Sequence, residues 1–554
     1  LDSREPTISI TSNITKSFDD MPRNILRVST SEGPYYSIAA AVDAASPGSI
    51  IEVASGLYTQ PITITKAGLT IRALDASCPV QMTCSSGPLI AVKLLADEIF
   101  ELNNLKLLHS SFTRDFTSKD NDEITAEEWI YSLTHSVEDD SLLFIEGGNV
   151  TVIECTLTMS SIKKPMSAVV ALKGNLVMKG CEVKGHGEIS TCGVYTKGTN
   201  VKLIHSRFLK HRGAAIVLDA AENDKVLVED CTVTKNISCG IYIWGEEAKP
   251  IIQRTKITRN DGFGIKLSRF NRASIKACDI TGNEVGIHAQ DADPFIFLCN
   301  IKENIQEGLR FSGSEDWRCD GKVMSCEICS NDIGVVVDGP TSFPSIISNL
   351  KISSNKKAGV RVQGGAHGSI IRNEIFANGG QGVLVVDGSS AHVERNNIYD
   401  NVKANVAFGG SENSDTTVVE NSICRSHAEG IVNISGGKSW IKRNQIFDNF
   451  DGIVLIDSHP DIYMNSIYDN RRSGLTVAGK SQPSVMENEI FRNTAVGIAV
   501  RDLSSGLYAR NSVYGNLVQV ALVTKKHMNV TLVKTENQIK GEVQIPLPKV
   551  CQMF

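Results

Sequence analysis

Two short segments of the chain combine histidine with closely spaced aspartates, the residue types that carry acid–base chemistry. The first is His288–Pro294, with the sequence HAQDADP, and the second is Asp457–Asp461, with the sequence DSHPD. Hydrolysis of a glycosidic bond needs two carboxyl groups about 5–10 Å apart, whereas abstraction of a sugar proton needs a mixed set of Asp, His, Arg and Tyr. Both segments are therefore candidates for catalysis, although Asp-x-Asp-Pro and Asp-x-His-Pro are also common turn sequences.

The elements that would position these segments follow from a sequence repeat. From about residue 150 onward the chain repeats Asn-x-Ile-x-x-Asn, followed within a few residues by Gly-Ile or Gly-Val. The central apolar residue can be followed from Leu157 to Val513, which is 356 residues in 15 steps with a mean of about 23.7. A fixed period of roughly 20–50 residues is typical of a solenoid.

The pattern inside each repeat indicates which kind of solenoid this is. Apolar residues alternate two by two over short stretches and are interrupted by Gly, Asn, Asp and Ser, without a helical period. Such stretches indicate strands, and two or three strands of ~4 residues plus turns fill one rung of a parallel β-helix. We predict an all-β fold, a right-handed parallel β-helix solenoid of about 16 or more rungs with a short N-terminal capping helix.

Two columns of the repeat describe the interior of this predicted solenoid. Asn stands three residues after the central apolar residue in almost every copy, where we expect it to adopt a left-handed backbone and to stack its amides in a ladder. Two residues before the central residue, Cys in the first half of the chain gives way to Asn in the second. Stacked rungs lie too far apart for disulfides, so we expect free buried thiols and a reducing, cytoplasmic compartment.

The position directly after the central apolar residue offers a binding surface. It is polar or small in early copies, for example Thr258 and Lys302, and aromatic in most later ones. Rings repeated at rung spacing would form a strip, and exposed apolar strips are typical of binding sites. The alternative is that the rings close a turn over the edge of the core. The predicted binding residues are Phe376, Tyr399, Phe447, Tyr468, Phe491 and Tyr514.

Composition and short motifs exclude several classes of function. Lys and Arg number 56 against 62 Asp and Glu in 554 residues, a net charge of −6 without the basic excess of a nucleic-acid-binding protein. There is no apolar run of about 18 residues that would span a membrane. Cys326–Cys329 has the spacing of half a zinc site, but no second such pair follows, so we predict no metal and no cofactor.

The predicted solenoid repeats are flanked by segments of different composition. The chain starts Leu1-Asp2-Ser3 with neither an initiator Met nor an apolar signal core, so a fragment or a processed product is expected. Strand edges at both ends of a β-helix must be capped. We predict an N-terminal extension or linker (1–33), an N-terminal cap with the first rungs (34–108), an acidic insertion that is a mobile loop or a docking element (109–141), the β-helix repeats (142–516) and a C-terminal cap (517–554).

Several segments resemble a known group of proteins. The stretches RNEIFANGGQGVLV, RNQIFDNFDGIVL and ENEIFRNTAVGIAV are similar to the pectin-lyase-like β-helix repeats of carbohydrate-binding and sugar-hydrolase proteins. Within that superfamily the chain is most similar to F-box β-helix substrate receptors and Shc SH2-domain-binding-type proteins, over about residues 34–516. The segment His288–Pro294 is similar to the Asp-Pro-His stretch of uronan epimerases, with Phe295 in the place of the His. The resemblance implies the fold, but the fold serves lyases, epimerases, hydrolases and scaffolds alike.

Taken together, these features favour a binding protein over an enzyme. We predict a non-catalytic intracellular β-helix, a scaffold or substrate-recognition module that binds protein partners along its length. The alternative is a carbohydrate-active enzyme (a polysaccharide lyase, glycoside hydrolase or uronan epimerase) or a glycan-binding protein. The two classes differ in one observable: an enzyme has a groove with three or more convergent charged residues.

Overall fold

The computed structural model describes residues 23–85, 87–110, 141–160, 166–186, 191–314, 317–410, 415–524, 530–532 and 536–544. The fold is an all-β parallel solenoid of about 19 turns, and its described residues contain one helix. The predicted fold class is therefore confirmed. Residues 1–207 and 208–554 form two compact units, and the division falls within the strand Arg207–Leu209.

Each turn contributes three short strands, which pair in parallel with the equivalent strands of the next turn. In the second unit, Ile375 pairs with Ile398 and Ile398 with Ile423, so equivalent residues of successive turns lie over one another. The three resulting sheets are called A, B and C in the order in which the chain visits them. Most strands bury their central residue and leave its neighbours partly exposed, as the alternation of apolar and polar residues predicts.

The strands of the first unit by themselves form three sheets of the same kind. Sheet A comprises Ile25–Val28, Ile50–Val53, Leu69–Ala73, Ile99–Asn103, Asn149–Ile153, Asn175–Lys179 and Asn200–Ile204. Sheet B comprises Gly56–Tyr58, Val80–Cys84, Lys106–Ser110, Thr156–Ser160 and Glu182–Lys184. Sheet C comprises Ile62–Ile64, Ile90–Val92, Ser141–Ile145, Met166–Ala171 and Thr191–Lys197.

The second unit is more regular. Sheet A comprises Val226–Glu229, Ile251–Gln253, Ser274–Lys276, Phe295–Phe297, Lys322–Met324, Ser345–Ile347, His367–Ile371, Ser390–Glu394, Thr417–Val419, Trp440–Lys442, Asp461–Tyr463, Ser484–Met486, Gly506–Ala509 and Val530–Leu532. Sheet B comprises Thr232–Thr234, Lys256–Thr258, Asp279–Thr281, Asn300–Lys302, Glu327–Cys329, Lys351–Ser353, Glu374–Phe376, Asn397–Tyr399, Ser422–Cys424, Gln445–Phe447, Ser466–Tyr468, Glu489–Phe491, Ser512–Tyr514 and Gln538–Lys540. Sheet C comprises Ala214–Asp219, Cys239–Trp244, Phe263–Ser268, Val285–Gln290, Glu307–Ser312, Ile333–Asp338, Val360–Gln363, Val383–Val385, Val406–Gly409, Glu429–Ile434, Asp451–Ile456, Leu475–Ala478, Val496–Asp502, Val518–Thr524 and Val543–Gln544.

The helix Ile38–Ala44 in the first unit is the predicted capping helix. Ser37 begins it as an N-cap whose hydroxyl accepts the backbone N–H of Ala40 at 3.1 Å. Lys66 satisfies its C-terminal end, because the ammonium group donates to the carbonyl oxygens of Val42 at 3.0 Å and Ala45 at 2.9 Å. The helix packs against the strands of the first turns, so it covers their apolar interior.

The asparagine ladder is present, but its backbone conformation differs from the expectation. Side-chain amides bond from turn to turn, for example from Asn378 to Asn401 at 2.9 Å and from Asn470 to Asn493 at 2.9 Å. The left-handed residue is the one before each ladder residue, such as Asp400 with φ 54° and Asp448 with φ 55°. The prediction that the Asn themselves take this conformation is wrong, because the buried Asn serves through its amide while the exposed residue before it makes the bend.

A second asparagine ladder runs along the corner between sheets A and B of the second unit. It starts where the cysteine column changes to asparagine and continues to the end of the described repeats, with amide-to-amide distances of 2.9–3.1 Å. Its members are Asn349, Asn373, Asn396, Asn421, Asn444, Asn465, Asn488, Asn511 and Asn537. From Asn349 onward, two corners of the turns are thus held by stacked amides.

The thirteen described cysteines are free, and eleven of them are buried. The buried set includes the predicted core column, for example Cys155, Cys278 and Cys326. The predicted extension 1–33 lies largely outside the described residues, and so does the predicted acidic insertion 109–141. No helix within the described ranges is long and apolar enough to cross a membrane.

Candidate functional site

One outer face of the second unit carries a row of polar and aromatic side chains on successive turns of sheet A. The neighbouring residues Val393, Val418, Ile441 and Ile462 are fully buried, so by alternation the row faces outward. Its members lie in register and are Ser369, His392, Thr417, Trp440, Asp461, Ser484 and Leu507. Trp440 is 51% exposed, which is a large exposed area for an indole.

A cleft of about 490 Å³ lies at one end of this row. This volume falls within the range of roughly 300–1,000 Å³ that is usual for small-molecule sites. Four consecutive loops between sheets C and A form its walls, together with the starts of the following strands. The lining residues are Lys438, His459, Asp461, Gln482, Pro483, Ser484, Ser505, Gly506 and Leu507.

Hydrogen bonds between successive turns hold the loops of the cleft in place. His459 Nδ1 accepts the backbone N–H of Gln482 at 3.0 Å, and Asp457 accepts the backbone N–H of Lys480 at 2.8 Å. In its neutral form His459 therefore carries its proton on Nε2, which is free to donate to a ligand. The loops are anchored below by buried hydroxyl residues of successive turns, Ser439, Ser458, Ser481 and Ser504.

The charged groups of the cleft are not paired with each other. Among the described residues, neither the carboxylate of Asp461 nor the ammonium group of Lys438 has a hydrogen-bond or ion-pair partner. Together with His459 they give the cleft three ionisable side chains of different kinds on neighbouring turns. A groove with three or more convergent charged residues is what the sequence analysis expects of an enzyme, and the cleft brings together Lys438, His459 and Asp461.

The two acid–base segments predicted from the sequence have different roles in the structure. Asp457–Asp461 supplies two residues of the cleft, whereas His288–Pro294 lies on sheet C and its following loop. Asp291 and Asp293 accept backbone N–H groups of the next loop, both at 2.6 Å, which is the turn role that the sequence left open. Asp461 and His459 are thus the members of these segments that line the cleft.

His288 occupies a partly buried position on sheet C. Its Nε2 atom lies 2.8 Å from the hydroxyl of Ser312, and its register partners on the adjacent turns are Lys266 and Arg310. Burial, together with the positive charges of Lys266 and Arg310, lowers the pKa of His288 to about 3. The imidazole is therefore neutral at physiological pH.

The six aromatic residues predicted as a binding strip lie on the outer face of sheet B. Phe447, Tyr468, Phe491 and Tyr514 stack in one file with ring centroids 5.0–5.2 Å apart, and Phe376 stacks on Tyr399 at 5.0 Å. Each ring is half-buried, and each stacks on at least one neighbouring ring. Their role in binding stays a prediction.

Charged residues flank this aromatic file in pairs. Arg425 binds both carboxylate oxygens of Asp400 at 2.9 and 3.0 Å, and Arg492 binds Asp469 at 2.8 and 2.5 Å. The column two residues after the central apolar residue thus forms ion pairs between turns. These pairs are exposed, so solvent screening leaves each of them only a small contribution to stability.

The described residues contain no group of three or more His, Cys, Asp or Glu side chains that could hold a metal ion. Cys326 is fully buried in the core column, while Cys329 is partly exposed on the outer face of sheet B. The two sulfur atoms of the CxxC spacing thus belong to different environments, which is unlike a zinc site.

Sequence reasoning missed the row on sheet A. Each member stands six residues before the central apolar residue of its repeat: His392 before Ile398, Thr417 before Ile423 and Trp440 before Ile446. This row is a column of the sequence repeat, as the Asn, Cys and aromatic columns are. It was inconspicuous because its residue types change from turn to turn.

Comparison with known proteins identifies the fold family. The model for the right-handed β-helix region matches residues 130–257, 214–343, 263–416, 307–458 and 405–543. No curated protein matches the chain. The closer similarity to F-box and Shc-binding-type proteins stays a prediction.

Solved structures with a similar course of the chain are distant. The periplasmic alginate epimerase AlgG is 9% identical, with 67% of this chain and 84% of that one covered and a TM-score of 0.33. The A-module of the mannuronan C-5 epimerase AlgE6 of Azotobacter vinelandii is 12% identical, with 92% and 94% covered and a TM-score of 0.23. A family 28 exopolygalacturonase of Yersinia enterocolitica is 8% identical, with 94% and 79% covered and a TM-score of 0.25.

Since the matches to the family model extend from residue 130 to residue 543, well over half of the chain, this protein belongs to the right-handed β-helix family.

Proposed function

We propose that this protein binds a glycan in the sheet A cleft of its second unit. The observation that carries the proposal is the exposed indole of Trp440, which lies in register with the unpaired carboxylate of Asp461 at the cleft. A flat apolar ring beside a set of polar groups matches the two faces of a sugar, whose C–H bonds are apolar and whose hydroxyl groups seek hydrogen bonds.

The polar groups of the cleft offer both hydrogen-bond donors and acceptors. Lys438 and the Nε2 atom of neutral His459 donate, Asp461 accepts, and Gln482 and Ser484 do both. Sugar hydroxyls need such mixed partners, because each hydroxyl is at once a donor and an acceptor. The cleft spans several turns, and strands of adjacent turns lie about 4.8 Å apart, close to the length of one sugar unit.

The composition of the cleft favours binding over glycoside hydrolysis. Asp461 is the single carboxylate among its lining residues. Hydrolysis by either common route needs two carboxyl groups, one of which must be protonated. Among the alternatives given by the sequence, the cleft therefore supports a glycan-binding protein over a glycoside hydrolase.

Glycan binding can be tested by calorimetric titration of the full chain with neutral and acidic oligosaccharides. We expect saturable binding by the wild type and an affinity reduced at least about tenfold in Trp440→Ala, because central aromatic anchors dominate binding energy. Trp317→Ala is the matched control, since Trp317 is also an indole of the second unit and is 52% exposed. Equal affinities of wild type and Trp440→Ala, or no binding of any glycan, would contradict the proposal.

A second candidate function is recognition of a protein partner, with the cytoplasm as its site. The half-buried rings on sheet B support it, because four stacked rings in one file give an apolar ridge between charged borders. The test compares the proteins that co-purify with the wild type and with Tyr468→Ser. A partner that is retained by the wild type and lost from this variant supports the second function, and identical sets argue against it.

A further inference from the structure

Three side chains next to Trp440 form a chain of hydrogen bonds from a hydroxyl to a carboxylate. Thr417 Oγ1 lies 2.7 Å from His392 Nδ1, and His392 Nε2 lies 2.9 Å from Glu394 Oε2. Thr417 follows His392 on the next turn of sheet A, while Glu394 stands two residues after His392 on the same strand. All three side chains belong to the second unit and lie on its outer surface.

The carboxylate fixes the direction of this chain. The hydrogen bond from His392 and the positive charge of Arg395, whose Nη1 atom lies 3.3 Å from Glu394 Oε1, hold the pKa of Glu394 below its usual range. An ionised carboxylate only accepts, so in the neutral imidazole the proton resides on Nε2. The lone pair of Nδ1 then faces Thr417 and can accept the proton of its hydroxyl.

Thr417 lies partly exposed beside Trp440, the residue on which the proposed ligand packs. The side chain of His392 is 44% exposed, and Thr417 is partly exposed. Trp440 is the register partner of Thr417 on the following turn. A sugar that packs on the indole therefore has its substituents about one strand spacing, ~4.8 Å, from the hydroxyl.

We propose that Thr417, His392 and Glu394 form an acyl-transfer site that removes ester-linked acyl groups from a glycan held on Trp440. The identity of the acyl carrier rests on the proposed function, whereas the chemistry of the three side chains does not. A hydroxyl activated by an imidazole that is oriented by a carboxylate is the general arrangement of nucleophilic catalysis.

The reaction is an ester hydrolysis in two steps. In the first, Thr417 Oγ1 attacks the carbonyl carbon, its proton passes to His392 Nδ1, and the bond to the sugar oxygen breaks as that oxygen takes up the proton. In the second, Nδ1 takes a proton from water and the hydroxide attacks the carbonyl carbon of the acyl-Thr417 ester. The bond from that carbon to Thr417 Oγ1 breaks, the acyl group leaves as the free carboxylic acid, and Oγ1 takes the proton back from Nδ1. Thr417 and His392 are the catalytic residues, and Glu394 is a positioning residue.

The chain contains a matched control one turn away. His367 Nδ1 contacts the hydroxyl of Ser390, its partner on the next turn of the same sheet. Within the described residues His367 has no carboxylate partner, and its ring stacks on Phe343 with centroids 4.9 Å apart. This pair has the imidazole and the hydroxyl without the orienting group, so it should not react.

The experiment incubates the full chain with p-nitrophenyl acetate and with a fluorophosphonate, measures p-nitrophenol release, and locates the adduct by peptide mass spectrometry. We expect an adduct on Thr417 and release that falls at least about 100-fold in Thr417→Val and His392→Ala, the usual contribution of a proton-transfer partner. Thr417→Ser should retain release, Glu394→Asp should retain more than Glu394→Gln, and Ser390→Ala should match the wild type. Far-ultraviolet circular dichroism of each variant verifies the fold.

The outcomes separate this site from the proposed glycan binding. An adduct on Ser390, no adduct at all, or unchanged release by Thr417→Val overturns the acyl-transfer site. Wild-type protein that binds a glycan but forms no adduct overturns this inference and leaves the proposed function standing. Wild-type protein that forms the adduct but binds no glycan overturns the glycan as carrier, together with the proposed function.

Discussion

At the scale of single residues, one irregular turn explains how the ladder constrains the sequence. A column of glycines faces the ladder: a Cβ atom added to Gly359 would lie 2.8 Å from the amide nitrogen of Asn378. In one turn the ladder residue is Ser426, and the glycine column there holds Asn405 instead. Asn405 accepts from Asn401 at 2.8 Å and donates to Asn449 at 3.2 Å, so its amide occupies the missing place in the ladder.

This exchange predicts a reciprocal effect of two substitutions. Ser426→Asn alone brings two amides into the space of one, and we expect a loss of about 1–3 kcal/mol in the free energy of unfolding, as for other overpacked cores. Asn405→Gly with Ser426→Asn restores the arrangement of the other turns and should recover most of this loss. Urea unfolding measures both, with Ser435→Asn at an exposed, left-handed corner as the control. A double variant no more stable than Ser426→Asn would contradict the explanation.

A buried carboxylate in the first unit predicts a dependence of stability on pH. The hydrogen bond from Arg72 at 2.8 Å, together with that from Arg27, holds the pKa of Glu52 below its ordinary value of 4.5. The folded state thus binds this proton less readily than the unfolded state. The stabilisation is present above pH 4.5 and is lost as the pH falls through the lower, folded value. Thermal unfolding between pH 7 and pH 3 should therefore show a smaller loss for Glu52→Gln than for the wild type, and identical slopes would refute the assignment.

At the scale of elements, the columns that the sequence revealed are those in which one residue type recurs. The repeat around Ile375 and Ile398 predicts the strands, and the Asn and Cys columns predict buried side chains, because stacked turns give equivalent residues one environment. The bend at Asp400 could not be assigned this way, since its exposed column accepts Arg, Ala and Glu alike. The row that contains His392, Thr417 and Trp440 was not predicted for the same reason. Residues at outward positions can vary from turn to turn, and a functional site needs several different residue types.

The aromatic file on sheet B predicts a stability difference between two phenylalanines. Phe491 stacks between Tyr468 and Tyr514, whereas Phe376 has one ring partner among the described residues, Tyr399. Each stacked pair contributes about 0.5–1.5 kcal/mol beyond area burial, so Phe491→Ala should cost more than Phe376→Ala by about that amount. Chemical denaturation of the two variants measures the difference. Equal losses would mean that the rings contribute through burial alone.

At the scale of the whole molecule, the accessibility of the cysteines shows how well the interior is shielded from solvent. Burial raises the pKa of Cys155 to about 12, of Cys181 to about 11 and of Cys239 to about 12, so these thiols stay protonated at neutral pH. The thiolate is the reactive form, and burial also blocks the reagent. Cys78 is exposed and Cys329 is partly exposed, which makes them the two accessible thiols among the described residues.

Alkylation of the native protein should therefore modify Cys78 first and Cys329 more slowly, while the eleven buried cysteines react after denaturation. Peptide mass spectrometry with one reagent before denaturation and a second one after it measures this order, and Cys78→Ser removes the fast site. The same experiment without reductant tests the predicted compartment, because free thiols in the native protein are what a reducing environment preserves. Rapid modification of Cys239 would show that the turns around it separate far more readily than the adjacent asparagine ladder allows, since opening breaks the hydrogen bonds between the stacked amides, such as that from Asn236 to Asn260 at 2.8 Å.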